Sequence, residues 1–363
     1  MRHVALPVVT MFAASLALGS CGGMHVRRVT YRLPGLISGP VDHGSVKDAR
    51  RPFGEVFCGT LRHLISDAGE TWGDCRKYIE VDSSVEASLG AMTPVRVLVV
   101  AGVFSECLEA SGVKAFLDAK KHLEDTKYHT GISLEHVPVS ALGSSSNNAN
   151  EIRDYVLAHP GKFVALGYSK GAGDLMEAIA TYPEVSQSVL ALVTIAGSVG
   201  GSRLPDLLGP DFVKWVERAA HRMGLPGCHV ADGGGITSLS RPDRQAFLRK
   251  YPVGTVPSFS VAAVAAGDTR PGQDDRTISK LLRIPWEGLQ AYSLDQDSQV
   301  IADDAAVPGG TLLAIARADH WAVALPFSEM TDPKQRRDAL KVVDRNTYPR
   351  TALLEAILRT AVP

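Results

Sequence analysis

The stretch Phe163-Val164-Ala165-Leu166-Gly167-Tyr168-Ser169-Lys170-Gly171 runs from apolar residues of buried-strand type into a G-x-S-x-G pentapeptide. Downstream, Leu175, Ile179 and, more loosely, Met176 recur at helical spacing, and Pro183 marks the stop. A strand that reverses this sharply into a helix holds its central residue at a strained positive φ and passes close to its neighbours. Gly167 and Gly171 lack the Cβ atoms that would clash there. The pattern predicts Ser169 at the tip of a nucleophile elbow, beside the free N–H groups of a helix N-terminus that suit a developing oxyanion.

The start of the chain carries a different signal. After Arg2 comes an apolar segment over residues 4–18, ending in Leu18-Gly19-Ser20-Cys21. It has the form of a signal peptide and is short for a membrane span. The tetrapeptide resembles the lipobox of bacterial lipoproteins, which implies cleavage before Cys21, acyl chains on Cys21 and attachment to the membrane. The expected location is the cell envelope, facing the periplasm or the surface, and Gly22 resembles the outer-membrane sorting choice. An ordinary secretory signal with a free Cys21 is the alternative.

Composition fits a globular protein of that compartment. The chain has 38 Lys and Arg against 39 Asp and Glu, so it lacks the electrostatic footprint of a nucleic-acid binder. No His, Cys and carboxylate cluster shows ligand spacing, so neither a metal nor a cofactor is expected. Four further cysteines, Cys58, Cys75, Cys107 and Cys228, form an even set. In an oxidising compartment they suggest two disulfides, with Cys58–Cys75 and Cys107–Cys228 preferred among the three pairings and free buried thiols as the alternative.

Residues 21–50 are polar and basic, with scattered Gly and Pro, and read as a tether behind a leader over residues 1–20. One domain is expected over residues 51–363, opening with a helix over residues 52–65. Then strands and helices alternate. Residues 95–102 and 190–197 are near-continuous β-branched and apolar runs of the kind buried on both faces of a parallel sheet. A weaker strand is expected at 134–139, one more buried strand at 259–266, a helix at 149–158 and a last strand at 311–316. The rhythm predicts an α/β fold with a doubly wound, mainly parallel sheet. Residues 200–256 form an insertion, with an amphipathic helix at 211–223, the Gly-rich Asp232-Gly233-Gly234-Gly235 and a second helix at 241–250.

From about residue 96 to 323 the chain resembles the α/β-hydrolases, and among them the bacterial lipases and esterases. That resemblance implies a nucleophile, an acid and a histidine, in that order, on loops at the carboxyl ends of strands. His320, in Asp319-His320-Trp321 just past the last strand-like run, resembles the family's histidine, with His229 as its competitor. The acid lies between three candidates: Asp297 in the turn Asp295-Gln296-Asp297-Ser298, Asp304 before Ala305-Ala306, and Asp268 after the strand at 259–266. Asp297 is preferred. The oxyanion donors implied are the N–H of Lys170, whose side chain is expected to point to solvent, and that of Val103 or Phe104 after Gly102. The insertion takes the place of the family's cap, as a mobile lid or a fixed helical pair.

The expected activity is hydrolysis of small-molecule or lipid carboxylic esters through an acyl-enzyme on Ser169. An envelope acyltransferase with the same side chains and a non-catalytic binding lipoprotein are the alternatives.

Overall fold

The computed structural model describes residues 46–362 except 69–71, 82–84, 104, 126–129, 226–230, 252–253, 255, 266–277 and 344–347. The leader, Cys21, most of the tether, Phe104, Cys228, His229 and Asp268 therefore lie outside the described residues.

Among the described residues, seven strands make one sheet. In chain order they are β1 (Lys47–Asp48), β2 (Arg96–Val100), β3 (Ser133–His136), β4 (Phe163–Tyr168), β5 (Val189–Ile195), β6 (Ser258–Ala263) and β7 (Thr311–Ala316). Their spatial order is β1-β7-β6-β5-β4-β2-β3, and every neighbouring pair is parallel. The β-branched runs do what a sheet covered on both faces requires. Val97 and Val99 enter one apolar core, while Leu98 and Val100 enter another on the opposite face. Each such side chain, fully buried, is worth about 1.5–3 kcal/mol.

Helices flank the sheet at the expected places. The helix Ser145–Ala158 precedes β4, and Ser144 caps it by accepting from Asn147 N–H. The elbow helix Lys170–Thr181 follows β4 and ends two residues before Pro183, which opens the next helix. The helix Arg50–Ala68 is pinned by the disulfide Cys58–Cys75, the pairing expected for those two cysteines. Cys107 is also disulfide-bonded.

Two features depart from expectation. The tether stops short of residue 50, because Val46 is buried and β1 adds to the open edge of β7, Lys47 N–H donating to Gly310 O at 2.9 Å. The helix Arg350–Ala361, which drew no expectation, is buried over most of its length and packs on the Arg50–Ala68 helix.

Among the described residues, the segment 200–256 between β5 and β6 holds the helices Leu204–Leu208, Phe212–Arg222, Gly235–Leu239 and Arg241–Lys250. Phe212, Val216, Ala219 and Ala220, at helical spacing, supply the buried stripe of the second. Its later half is tied to the core by side-chain bonds. Arg244 Nε donates to Val199 O (3.2 Å) and Arg241 pairs with Asp304 (3.0 Å), while Ser202 N–H donates to Leu239 O (2.7 Å) within the segment itself.

Candidate active site

β2 and β4 are neighbours in the sheet, while β7 lies beyond β5 and β6, and the segments that follow β4 and β7 meet where Ser169 contacts His320. Ser169 follows β4 directly and adopts φ 57°, ψ −126°, the strained geometry the turn imposes. The glycines around it are required by close approach. A Cβ on Gly167 would sit 2.5 Å from Ala172 Cα, and one on Gly171 would sit 2.1 Å from Val100 O.

His320 lies in the turn after β7. Its Nε2 is 2.8 Å from Ser169 Oγ, and its Nδ1 is 2.7 Å from Asp297 Oδ2. Because an ionised carboxylate only accepts, Nδ1 carries the proton and Nε2 is left to accept from the serine hydroxyl. The Tyr168 hydroxyl donates to His320 O at 2.7 Å, and its ring lies tilted against the imidazole at 5.2 Å. Asp319, beside the histidine, accepts from Ser279 N–H and Oγ (both 2.6 Å), from Trp321 N–H and from Ala322 N–H. Burial pushes its carboxyl up to about 6, against the pull of those hydrogen bonds.

Of the described candidate acids, the fold brings only Asp297 to the imidazole. Its turn is built for acceptance, since Oδ1 takes Gln299 N–H (2.8 Å) and Val300 N–H (2.7 Å) and leaves Oδ2 for the ring. Ser298, at φ 85°, closes that turn. Asp304 sits in the short helix Ala302–Ala305 and faces Arg241, so it links to the Arg241–Lys250 helix and is not the histidine's partner. Burial also raises its carboxyl to about 6, the Arg241 and Arg203 charges opposing.

The backbone around Ser169 is equally close. A Cβ on Gly102 would fall 2.6 Å from Ser169 Cβ, 2.8 Å from Oγ and 3.0 Å from Lys170 N. The chain after β2 therefore passes against the serine, and Val103 follows at once. Lys170 N–H is the first of its helix and has no intrahelical acceptor. The Lys170 side chain corrects the expectation: it does not reach solvent. It is 2% exposed and its Nζ donates to both oxygens of Asp174, at 2.9 and 2.8 Å. The spacing of four residues puts both on one side of the helix, so the lysine has a buried partner within reach.

Ser169, His320 and Asp297 are 6, 2 and 1% exposed. Next to them Gly102, Val103, Tyr168 and Leu325 line a cavity of about 10 Å³, room for one water. It shares Ala101, Ser105 and Glu109 with a cleft of about 330 Å³ that His136, Val137 and Ser140 also line. Among the described residues no group of His, Cys, Asp and Glu is arranged to hold a metal ion.

A seven-stranded parallel sheet with a serine elbow after its inner strand β4 and a histidine turn after β7 is the α/β-hydrolase fold. The metagenomic carboxyl esterase MGS0156 is 30% identical to this chain over 87% of it and 92% of the esterase, with a TM-score of 0.70. The chain belongs to the α/β-hydrolase family of that carboxyl esterase. Mature lipase BlEst2 of Bacillus licheniformis is 19% identical over 65% of this chain and 88% of the lipase (TM-score 0.46). Lipase 1 of Pelosinus fermentans is 11% identical over 73% and 99% (TM-score 0.47). No protein-family model and no curated protein matches the chain.

Proposed function

We propose that this hydrolase cleaves carboxylic esters through an acyl-enzyme on Ser169, with His320 as general base and acid and Asp297 as the group that orients it. The observation that carries the reading is the unbroken chain of hydrogen bonds from Asp297 Oδ2 through both ring nitrogens of His320 to Ser169 Oγ. His320 takes the hydroxyl proton as Oγ attacks the ester carbonyl, and Asp297 stabilises the imidazolium that forms. The tetrahedral oxyanion is received by Lys170 N–H and by an N–H of the loop after Gly102, where one donor is worth about 100- to 1000-fold in turnover. Collapse returns the proton to the departing alkoxide. A water then attacks the acyl-enzyme with His320 again as base, and the acid leaves.

The cleft of about 330 Å³ offers the space that the cavity beside Ser169 lacks, and it is where we place one arm of the ester. The test is labelling with a fluorophosphonate, followed by mass spectrometry. An adduct on Ser169 that is absent in His320→Ala, with ester turnover absent in Ser169→Ala, is the expected result. Undiminished ester hydrolysis by Ser169→Ala removes the proposal.

Attachment to the cell envelope through acylated Cys21 is the second part of the reading, and it rests on the sequence Leu18-Gly19-Ser20-Cys21 alone. Incorporation of labelled palmitate by cells making this protein, lost in Cys21→Ser, is the expected outcome. Equal incorporation by that variant refutes it.

A further inference from the structure

Among the described residues, two ion pairs have both side chains no more than 2% exposed: His320–Asp297 and Lys170–Asp174. The second lies directly behind the nucleophile. Asp174 accepts four hydrogen bonds, two from Lys170 Nζ, one from Ser145 Oγ (2.7 Å) and one from Asn148 Nδ2 (2.7 Å). The carboxylate therefore joins the first turn of the elbow helix to the first turn of the Ser145–Ala158 helix. That second helix is itself anchored, because Ser145 N–H donates to Ser238 Oγ and Asn148 Nδ2 also donates to Ser140 O.

Helix stability does not account for this pair. A lysine at the N-terminus of a helix opposes the helix dipole, and Lys before Asp at i,i+4 is the weaker order of such pairs. A buried ion pair also recovers little more than its own desolvation, so apolar side chains would serve the core as well. What the pair does uniquely is hold residue 170 from both ends. Its backbone N–H stands beside the serine, within 3.0 Å of the Cβ position of Gly102, while its side chain is bolted to a saturated carboxylate.

We propose that Asp174 is a positioning residue for oxyanion stabilisation: anchored by Ser145 and Asn148, it grips the Lys170 side chain and so fixes the Lys170 N–H where negative charge develops. The inference rests on the ester-hydrolase reading above. A donor aimed at the oxyanion acts on the transition state and not on the bound ester, so loosening it lowers kcat and leaves KM in place.

The experiment compares wild type with Lys170→Met/Asp174→Asn, which removes both charges together and leaves neither buried alone. The substrate is p-nitrophenyl butyrate, and a trifluoromethyl ketone, whose adduct carries an oxyanion, is the second probe. Expected are a thermal midpoint near that of wild type, a kcat 10- to 100-fold lower, KM within twofold, and ketone affinity weakened in step with kcat. A folded double variant with wild-type kcat, or with KM raised and ketone affinity unchanged, overturns the proposal. Should the double variant not fold, Ser145→Ala leaves the ion pair in place and removes one of its anchors. A threefold or greater loss of kcat at unchanged KM supports the proposal, and an unchanged kcat overturns it. Absence of ester turnover in wild type, measured first, refutes the parent reading, whereas turnover in wild type with intact kcat in these variants refutes this inference alone.

Discussion

His320 is bound to Asp297 twice: its Nδ1 is 2.7 Å from Asp297 Oδ2, and its backbone N–H donates to Asp297 O at 2.8 Å. The loop that supplies the carboxylate thus also fixes the backbone of the residue that receives it. Asp297→Asn is expected to keep the fold, since the turn retains its backbone bonds, and to lower kcat by about 1000- to 10,000-fold through the wrong imidazole tautomer. Steady-state kinetics with circular dichroism check this, and a loss under tenfold contradicts it.

Gly102 offers a test of the backbone around Ser169. With the Cβ position 2.6 Å from Ser169 Cβ, Gly102→Ala forces either the serine or the loop after β2 to move. A fall in kcat of about 100-fold or more is expected, the cost of misaligning one oxyanion donor. Titration of active sites with a fluorophosphonate, alongside kcat, distinguishes slow acylation from a reduced fraction of competent enzyme.

Asp304 sets a pH dependence of stability with a definite sign. Its folded carboxyl is raised to about 6 from an unfolded value of 3.8, chiefly by burial. The folded state therefore binds the proton more tightly, and this residue's favourable contribution is complete below about pH 4 and lost as pH rises through about 6. Asp304→Asn removes the titration. Relative to wild type, the variant is expected to gain about 2–3 kcal/mol between pH 4 and pH 7. Urea melts at both pH values measure it, and a variant that loses ground as pH rises refutes it.

The Cys58–Cys75 disulfide closes a loop of 17 residues between the Arg50–Ala68 helix and the turn Cys75–Lys77. Replacing both cysteines by alanine is expected to cost about 3 kcal/mol of stability, mostly through the freer unfolded chain. Neither cysteine lines the cavity or the cleft beside Ser169, so kcat at 25 °C is expected to stay within twofold. Denaturant melts and ester kinetics on the same preparation test both halves.

The elbow was legible because its determinants are local. Strand, turn and helix are written in nine consecutive residues, and the two glycines stand where the backbone leaves no room for a Cβ. The last strand and the helix at 241–250 were legible for the same reason, their periods being carried by their own residues. β1 was not, because two residues, Lys47 and Asp48, have no period and pair only once β7 presents an open edge. The charged Lys170 reads as a surface residue by composition. Asp174 four positions on was the available signal that it has a partner inside.

The sequence by itself determined the sheet's inner strands, the turn at Ser169 and the turn at His320, because short-range spacing and burial on both faces specify them. It left three aspartates competing for one histidine. Only the tertiary structure brings Asp297 to His320, since that contact joins residues 23 apart through a turn whose N–H groups must aim one carboxylate oxygen inward and free the other. The burial of Lys170 was decided in the same way. A charge enters a core when partners from other elements surround it, and Ser145 and Asn148 reach Asp174 only after two helices have packed.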